Sequence, residues 1–154
     1  MHIELRDQPF QPWAELATYQ AELDKRLAGQ YGAAALFVGT MRDFNDGDTV
    51  RRMTLEHYPG MTERQLQHLV ETAFRDWPLL DALVMHRIGT VEPNDPIVLV
   101  AVWSAHRAAA FAACRFIMEA LKSTAPFWKR EDLATGSRWV EHHTAGFLEP
   151  ATPD

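Results

Sequence analysis

The chain has 154 residues and a formal net charge of −6, with 47% hydrophobic and 23% charged residues. This size and composition are typical of one globular domain with a substantial core, and the acidic balance argues against nucleic-acid binding, which needs a basic surface. The single cysteine, Cys114, excludes an intramolecular disulfide and a cysteine metal cluster. Because no segment is typical of a signal peptide or a transmembrane span, we expect one cytoplasmic domain over residues 1–154, without membrane association.

The N-terminal half of the chain predicts three strands and two helices. Pro12 and Gly29 are typical of the beginning and end of the first helix. Thr62 and Gln65 have the spacing of a capping box at the start of the second, which Pro78 closes. The predicted elements are a strand at 2–5, a helix at 13–28, strands at 33–39 and 50–58 with a turn at 45–48 between them, and a helix that continues to residue 77.

The C-terminal half predicts four strands and one helix, and the whole order favours an α+β fold. Hairpin-like turns such as 92–95 favour a largely antiparallel sheet with packed helices over a doubly wound parallel sheet. The tail 144–154 has little periodicity and is predicted to be mobile. The predicted elements are strands at 83–91 and 97–104, a helix at 107–123 that ends before Pro126 and turns Phe111, Cys114, Ile117, Met118 and Leu121 inward, and short strands at 128–131 and 138–141.

The most informative stretch of the sequence is 121–131, in which Lys122 and Lys129 lie on either side of a proline beside two aromatic rings. Apolar rings and neighbouring cations lower the pKa of an amine, which can then serve as a base, an acid or a nucleophile. Between residues 106 and 130 there are five cationic residues and one acidic residue, Glu119. A basic patch on an acidic protein suits a small anionic ligand.

Two other segments are candidates for anion binding. His106 and Arg107 follow Ser104 at a predicted junction from strand to helix, where free backbone N–H groups and the helix dipole favour a phosphate. Arg42 follows an apolar strand that ends in Gly39-Thr40, which is a common way to deliver a cation to a ligand. The alternatives are a solvated Arg107 near a helix cap and an ordinary ion pair of Arg42 with Asp43.

The histidines give weaker indications. Glu56-His57 could suggest acid–base or metal chemistry, but His-Glu-x-x-His is absent and the seven histidines are scattered. For His57 and for His86 a structural role on a strand face is the favoured interpretation. A zinc hydrolase using His57, His86 and His106 stays as a weak alternative, and the sequence predicts no metal site and no cofactor.

Several of these motifs occur together and in order. The segments 37–42, 55–63, 86–89, 104–107, 121–131 and 138–140 resemble the large catalytic subunit of molybdopterin synthase, over about residues 33–141. The segments 8–30 and 142–154 lie outside these motifs. The resemblance implies a fold similar to the α/β-hammerhead and a sulfurtransferase that converts cyclic pyranopterin monophosphate into molybdopterin.

The resemblance also implies partners. The sulfur would come from a small ubiquitin-like carrier subunit that ends in Gly-Gly and bears a C-terminal thiocarboxylate. The large subunit would form a homodimer with one small subunit at each end, which makes a heterotetramer. A different class of function stays open, namely a module without catalysis that binds a phosphorylated ligand or a ubiquitin-like partner.

The resemblance places catalysis at Lys122 and Lys129, whose individual roles the sequence does not assign. Phe37, Phe127 and Trp128 are candidate pocket walls. The predicted substrate-binding residues are Thr40, Met41, Arg42, His106, Arg107, Lys122, Lys129, Arg130 and Glu131.

Overall fold

A computed structural model describes residues 1–45, 47–125 and 127–140 as two sheets and three helices. No helix within these ranges is long and apolar enough to cross a membrane. The elements are β1 (His2–Arg6), α1 (Pro12–Leu27), β2 (Ala33–Thr40), β3 (Phe44–Asn45), β4 (Asp48–His57), α2 (Met61–Asp76), β5 (Leu79–Arg87), β6 (Gly89–Val91), β7 (Pro96–Ser104), α3 (Arg107–Ser123), β8 (Phe127–Leu133) and β9 (Gly136–Trp139).

The first sheet has the strand order β1-β5-β7-β2. Strand β7 pairs antiparallel with β5 and with β2, whereas β1 lies parallel to β5. Helices α2 and α3 cover one face and α1 covers the other. Because both faces are covered, residues 81–87 and 98–104 are buried without alternation. Strand β2 lies at the edge of this sheet, with one side of its backbone unpaired among the described strands.

The second sheet has the order β3-β4-β8-β9, and the short strand β6 also pairs with β4. All of its pairings are antiparallel. The chain passes from the first sheet to the second after Arg87, where Gly89 has a φ of 76°. Glycine adopts this left-handed conformation without a steric penalty, so β6 can leave the plane of β5. The two sheets and the C-terminal end of α3 enclose a cavity.

This architecture confirms the predicted fold class, an α+β fold with largely antiparallel sheets. The three predicted helices and most predicted strands occur within a few residues of their expected bounds. The predicted strand 83–91 is instead two strands, because the chain bends at Gly89 and β6 joins the other sheet. Residue 141 and the tail 144–154 lie outside the described residues, as does Pro126.

Two local predictions are wrong. The capping box at α2 uses Gly60 and Glu63, since Glu63 Oε2 accepts the Gly60 N–H at 2.6 Å. Thr62 instead lies inside the helix, where its hydroxyl oxygen accepts the Tyr58 N–H at 3.0 Å. Phe111, expected to face inward on α3, is 68% exposed, because it lies beside the edge strand β2, and no described element covers it there.

Candidate functional site

A cavity of about 330 Å³ lies where the C-terminal end of α3 meets strands β2 and β8. Strand β8 alternates its side chains, so that Phe127, Lys129 and Glu131 face the cavity. Helix α3 contributes Lys122 from its last turn, and the end of β2 contributes Phe37. The other predicted site residues in the lining are Thr40, Met41 and Arg42.

The two lysines converge on this one space from different elements. Burial lowers the pKa of Lys129 below its usual range, the charge of Lys122 lowers that pKa further, and Glu131 partly offsets the effect. Two ammonium groups beside each other in a partly apolar cavity disfavour full protonation of both. The arrangement can therefore stabilise an anion and can also exchange a proton at the Lys129 amine.

Glu131 is buried, at 5% exposure, and both of its carboxylate oxygens are occupied. Oε1 accepts a hydrogen bond from Asn45 Nδ2 at 2.7 Å, and Oε2 accepts one from Arg138 Nε at 3.0 Å. Arg138 also donates to Asp48 and to the Asn45 carbonyl oxygen. The carboxylate thus holds β3, β8 and β9 together behind Lys129 and supplies a negative charge to balance the lysines.

The end of β2 places a cation at the cavity opening. Arg42 is exposed and its guanidinium lies 4.8 Å from the centre of the Phe44 ring, a cation–π contact that limits its directions. Met41 is buried in the small core of the second sheet and exchanges backbone hydrogen bonds with Asn94 and Asp95. Met41 therefore fixes the backbone from which Arg42 and Thr40 extend.

The structure places four predicted residues outside the cavity. Alternation along β8 turns Trp128 and Arg130 to the opposite face of the second sheet, where Trp128 contacts Tyr58 edge to face and Arg130 lies near Trp139. His106 and Arg107 begin α3, whereas Lys122 is in its last turn. At 1.5 Å per residue, Arg107 and Lys122 are about 22 Å apart along the helix axis.

Sequence reasoning missed His86 as a residue of the cavity. Its imidazole lines the cavity and stacks on Phe127, with ring centres 4.1 Å apart and planes 10° apart. The pKa of His86 is lowered to about 4, mainly by burial and also by the nearby charge of Lys129, although a hydrogen bond to the Arg87 carbonyl opposes the shift. The available signal was a histidine next to the last residue of a buried strand, at the point where the chain passes from one sheet to the other and the cavity lies between them.

Replacing His86 with phenylalanine is expected to reduce acid sensitivity. The pKa of His86 is about 4 in the folded protein and 6.5 ordinarily, so the unfolded state binds more protons between these values. Stability from this group is therefore lost as pH falls through that window, by on the order of 3 kcal/mol in total. In thermal unfolding, the Tm of the variant should fall less between pH 7 and pH 4.5 than the Tm of the wild type. The same difference in Tm between the two proteins at both pH values would contradict a lowered pKa of His86 in the folded state.

A zinc site would require several of the histidine side chains to lie close together. Among residues 1–45, 47–125 and 127–140, no group of three or more His, Cys, Asp or Glu side chains could hold a metal ion. His57, His86 and His106 therefore form no metal site within the described chain, and the zinc hydrolase interpretation loses its support.

Comparison with known proteins shows the family of the chain. Residues 7–124 match the family described as MoaE protein, and this match includes the segment 8–30 that the sequence motifs left aside. The chain is 53% identical over 139 residues to the molybdopterin synthase catalytic subunit of Ralstonia nicotianae, covering 90% of this chain and 76% of that protein.

Two solved structures have the same fold. The molybdopterin biosynthesis MoaE protein from Burkholderia ambifaria is 44% identical with a TM-score of 0.73, covering 90% of this chain and 88% of that one. The molybdopterin synthase from Staphylococcus aureus is 30% identical with a TM-score of 0.77, covering 91% and 97%.

Proposed function

The chain belongs to the MoaE family of molybdopterin synthase catalytic subunits, and we propose that its two-lysine cavity is where sulfur enters a cyclic pyranopterin monophosphate to give molybdopterin. The observation that carries this proposal is the convergence of Lys122 and Lys129 beside Arg42 in one partly buried space. Three cations that line one space suit a phosphorylated substrate. The lysines are the catalytic residues of the proposal.

The chemistry asks two things of the lysines. The thiocarboxylate sulfur of the carrier forms a bond to a substrate carbon as an oxygen leaves that carbon, and water then hydrolyses the resulting thioester, so that the sulfur stays on the substrate and the carrier ends in a carboxylate. Negative charge develops on carbonyl and phosphate oxygens during these steps. A fixed ammonium group stabilises that charge more strongly in a partly buried site than in bulk water. Lys129, whose pKa burial lowers, is the better candidate for moving a proton, and Lys122, at the end of a helix, is the better candidate for holding an anion.

The sulfur donor must reach this cavity through its C-terminus. A small ubiquitin-like subunit that ends in Gly-Gly suits a narrow approach, because glycine has no side chain to obstruct it. Phe37 and Phe127, which line the cavity, are the proposed walls of that approach. The complete enzyme is a homodimer of this chain with one carrier subunit at each end, a heterotetramer located in the cytoplasm.

The homodimer can bring His106 and Arg107 to the site. The open edge of β2 lies beside a groove of about 480 Å³ with exposed Leu36, Phe37 and Phe111. Two β2 edges paired antiparallel about a two-fold axis place the start of one strand beside the end of the other. Since α3 runs alongside β2, Arg107 of one copy then lies near Lys122 of its partner.

A mixed dimer tests this shared site. A dimer with Lys122→Ala in one copy and Arg107→Ala in the other should recover about half of the wild-type activity, because one composite site stays intact. Each variant as a homodimer should be at least about tenfold slower. The matched control combines Lys122→Ala with Lys129→Ala, which lie in the same cavity, and should show no recovery. Equal failure of both mixtures would place Arg107 outside the shared site.

A binding module without catalysis is the second candidate. The observation behind it is that Arg42, Lys122 and Lys129 line the cavity, and three cations together can bind an anion without any reaction. Lys129→Arg separates the two functions, because arginine keeps the charge but does not deprotonate readily. Turnover near that of the wild type would favour charge alone. Lost turnover with carrier binding retained would favour catalysis.

A single-turnover assay is the direct test. Purified protein is mixed with cyclic pyranopterin monophosphate and a thiocarboxylated carrier subunit, and the dithiolene product is followed with time. Product should form only when both components are present. An absence of product despite measurable binding of the carrier would leave the binding module as the better interpretation.

A further inference from the structure

Three of the charged side chains that line the cavity can only donate hydrogen bonds to a ligand. Arg42, Lys122 and Lys129 have no acceptor atoms when charged. Glu131 does have acceptors, but Asn45 and Arg138 occupy one oxygen each. These side chains suit the anionic end of a substrate and offer little to any N–H group it carries.

His86 differs because its tautomer follows from its contacts. Nδ1 lies 2.7 Å from the carbonyl oxygen of Arg87, and a carbonyl oxygen can only accept, so Nδ1 carries the proton. The ring is neutral at ordinary pH, since burial lowers its pKa to about 4. Nε2 therefore has a lone pair and no proton, and it has no hydrogen-bond partner within the described part of the chain.

The imidazole is held rigidly in this orientation. Its face lies against Phe127, and its own exposure is 5%. The Arg87 carbonyl that fixes Nδ1 is itself fixed, because the Arg87 guanidinium donates to the Thr90 carbonyl at 2.8 Å across the bend at Gly89. Orienting groups of this kind decide which ring nitrogen of a histidine faces a ligand.

We propose that His86 is a substrate-binding residue whose Nε2 accepts a hydrogen bond from a ring N–H or amino group of the heterocycle. The inference rests on the proposed function and adds how the site recognises the ring system. The cations bind the anionic end of the substrate, and His86 accepts a hydrogen bond from a donor on the heterocyclic end of the substrate. Inorganic phosphate lacks the heterocycle and therefore tests binding by the cations alone.

Three variants measure the contact. His86→Phe keeps a flat ring against Phe127 and removes both nitrogens, and His86→Gln restores an acceptor. His68→Phe is the matched control, because His68 is exposed on α2, away from the cavity. The dissociation constants of cyclic pyranopterin monophosphate and of inorganic phosphate are measured by titration calorimetry without the carrier, so that no turnover occurs, and thermal unfolding shows whether each variant is folded.

His86→Phe should weaken binding of the pyranopterin by about 10- to 100-fold, the cost of leaving a buried donor unsatisfied. Its affinity for inorganic phosphate should stay within about twofold of wild type. His86→Gln should recover part of the loss, and His68→Phe should bind both ligands normally.

Unchanged pyranopterin binding in a folded His86→Phe variant overturns the proposal, and so does an equal loss of both ligands, which would indicate a general collapse of the cavity. These outcomes differ from failure of the proposed function. In that case the wild-type protein itself would not bind the pyranopterin or form product with the carrier.

Discussion

Replacing Lys129 with alanine is expected to slow single-turnover sulfur transfer by about 10²- to 10⁴-fold, the range typical of a lost general acid–base group. Lys129 is the cavity lysine whose pKa burial and Lys122 lower. Its loss removes both a proton-transfer group and a positive charge beside the reacting atoms. The measurement is the rate of dithiolene formation with saturating thiocarboxylated carrier.

The third lysine of the chain provides the matched control. Lys25 lies exposed on α1, where its Nζ is 2.6 Å from Glu22 Oε1, and Lys25→Ala should leave the rate unchanged. Lys129→Arg keeps the charge and should stay slow if proton transfer matters. A Lys129→Ala variant that reacts within a few-fold of wild type would remove Lys129 from the catalytic assignment.

Lys129 also destabilises the folded protein, and this effect can be measured separately from the reaction rate. The pKa of Lys129 is lowered from 10.5, so the folded state releases a proton more readily than the unfolded state and is penalised wherever the lysine is charged. Lys129→Met should therefore raise Tm by about a few degrees at neutral pH. The advantage should shrink as pH approaches 10.5. A lower Tm for Lys129→Met at neutral pH would contradict this reasoning.

Glu131→Ala is expected to destabilise the protein by about 2–4 kcal/mol, because it removes one partner of a largely buried charge pair and leaves polar groups without bonds. Asn45 Nδ2 and Arg138 Nε both lose their acceptor. Denaturant unfolding measures the loss. Activity should fall as well, since β9 and the wall behind Lys129 depend on this carboxylate.

Glu131→Gln separates charge from shape. The amide keeps an acceptor for Asn45 but removes the negative charge that raises the pKa of Lys129, so we expect a smaller loss of stability and a lower apparent pKa in the pH–rate profile. Asp132→Asn is the neighbouring control, because Asp132 is partly exposed on the other face of β8. If Glu131→Ala were as stable as wild type, the carboxylate would have no organising role.

The sequence allowed the central features of the site to be predicted because they depend on local order. Residues 121–131 place Lys122 and Lys129 around a break between helix and strand, and the structure brings both into one cavity. The grouping of Arg107 with Lys122 was less well founded. A predicted helix over 107–123 already implied their separation of about 22 Å, so the two residues do not meet within one copy.

Other features depended on long-range packing and had no local signal. Residues 83–91 divide between two sheets because Arg87 pairs with β1 and Gly89 pairs with β4. That Phe111 is uncovered follows from the position of β2 at a sheet edge. Periodicity shows which residues share a face of an element and does not show which faces stay free of neighbours.

The alternation of side chains on β8 restricts how this region can change in length. An insertion or deletion that shifts β8 by one residue against β4 would reverse the strand's two faces, so that Trp128 and Arg130 would replace Lys129 in the cavity. Changes by two residues would keep the faces but displace the amine by about 7 Å. The interval between Lys122 and Lys129 is therefore a geometric constraint in its own right, and natural or engineered length variation is expected at the outer turns instead.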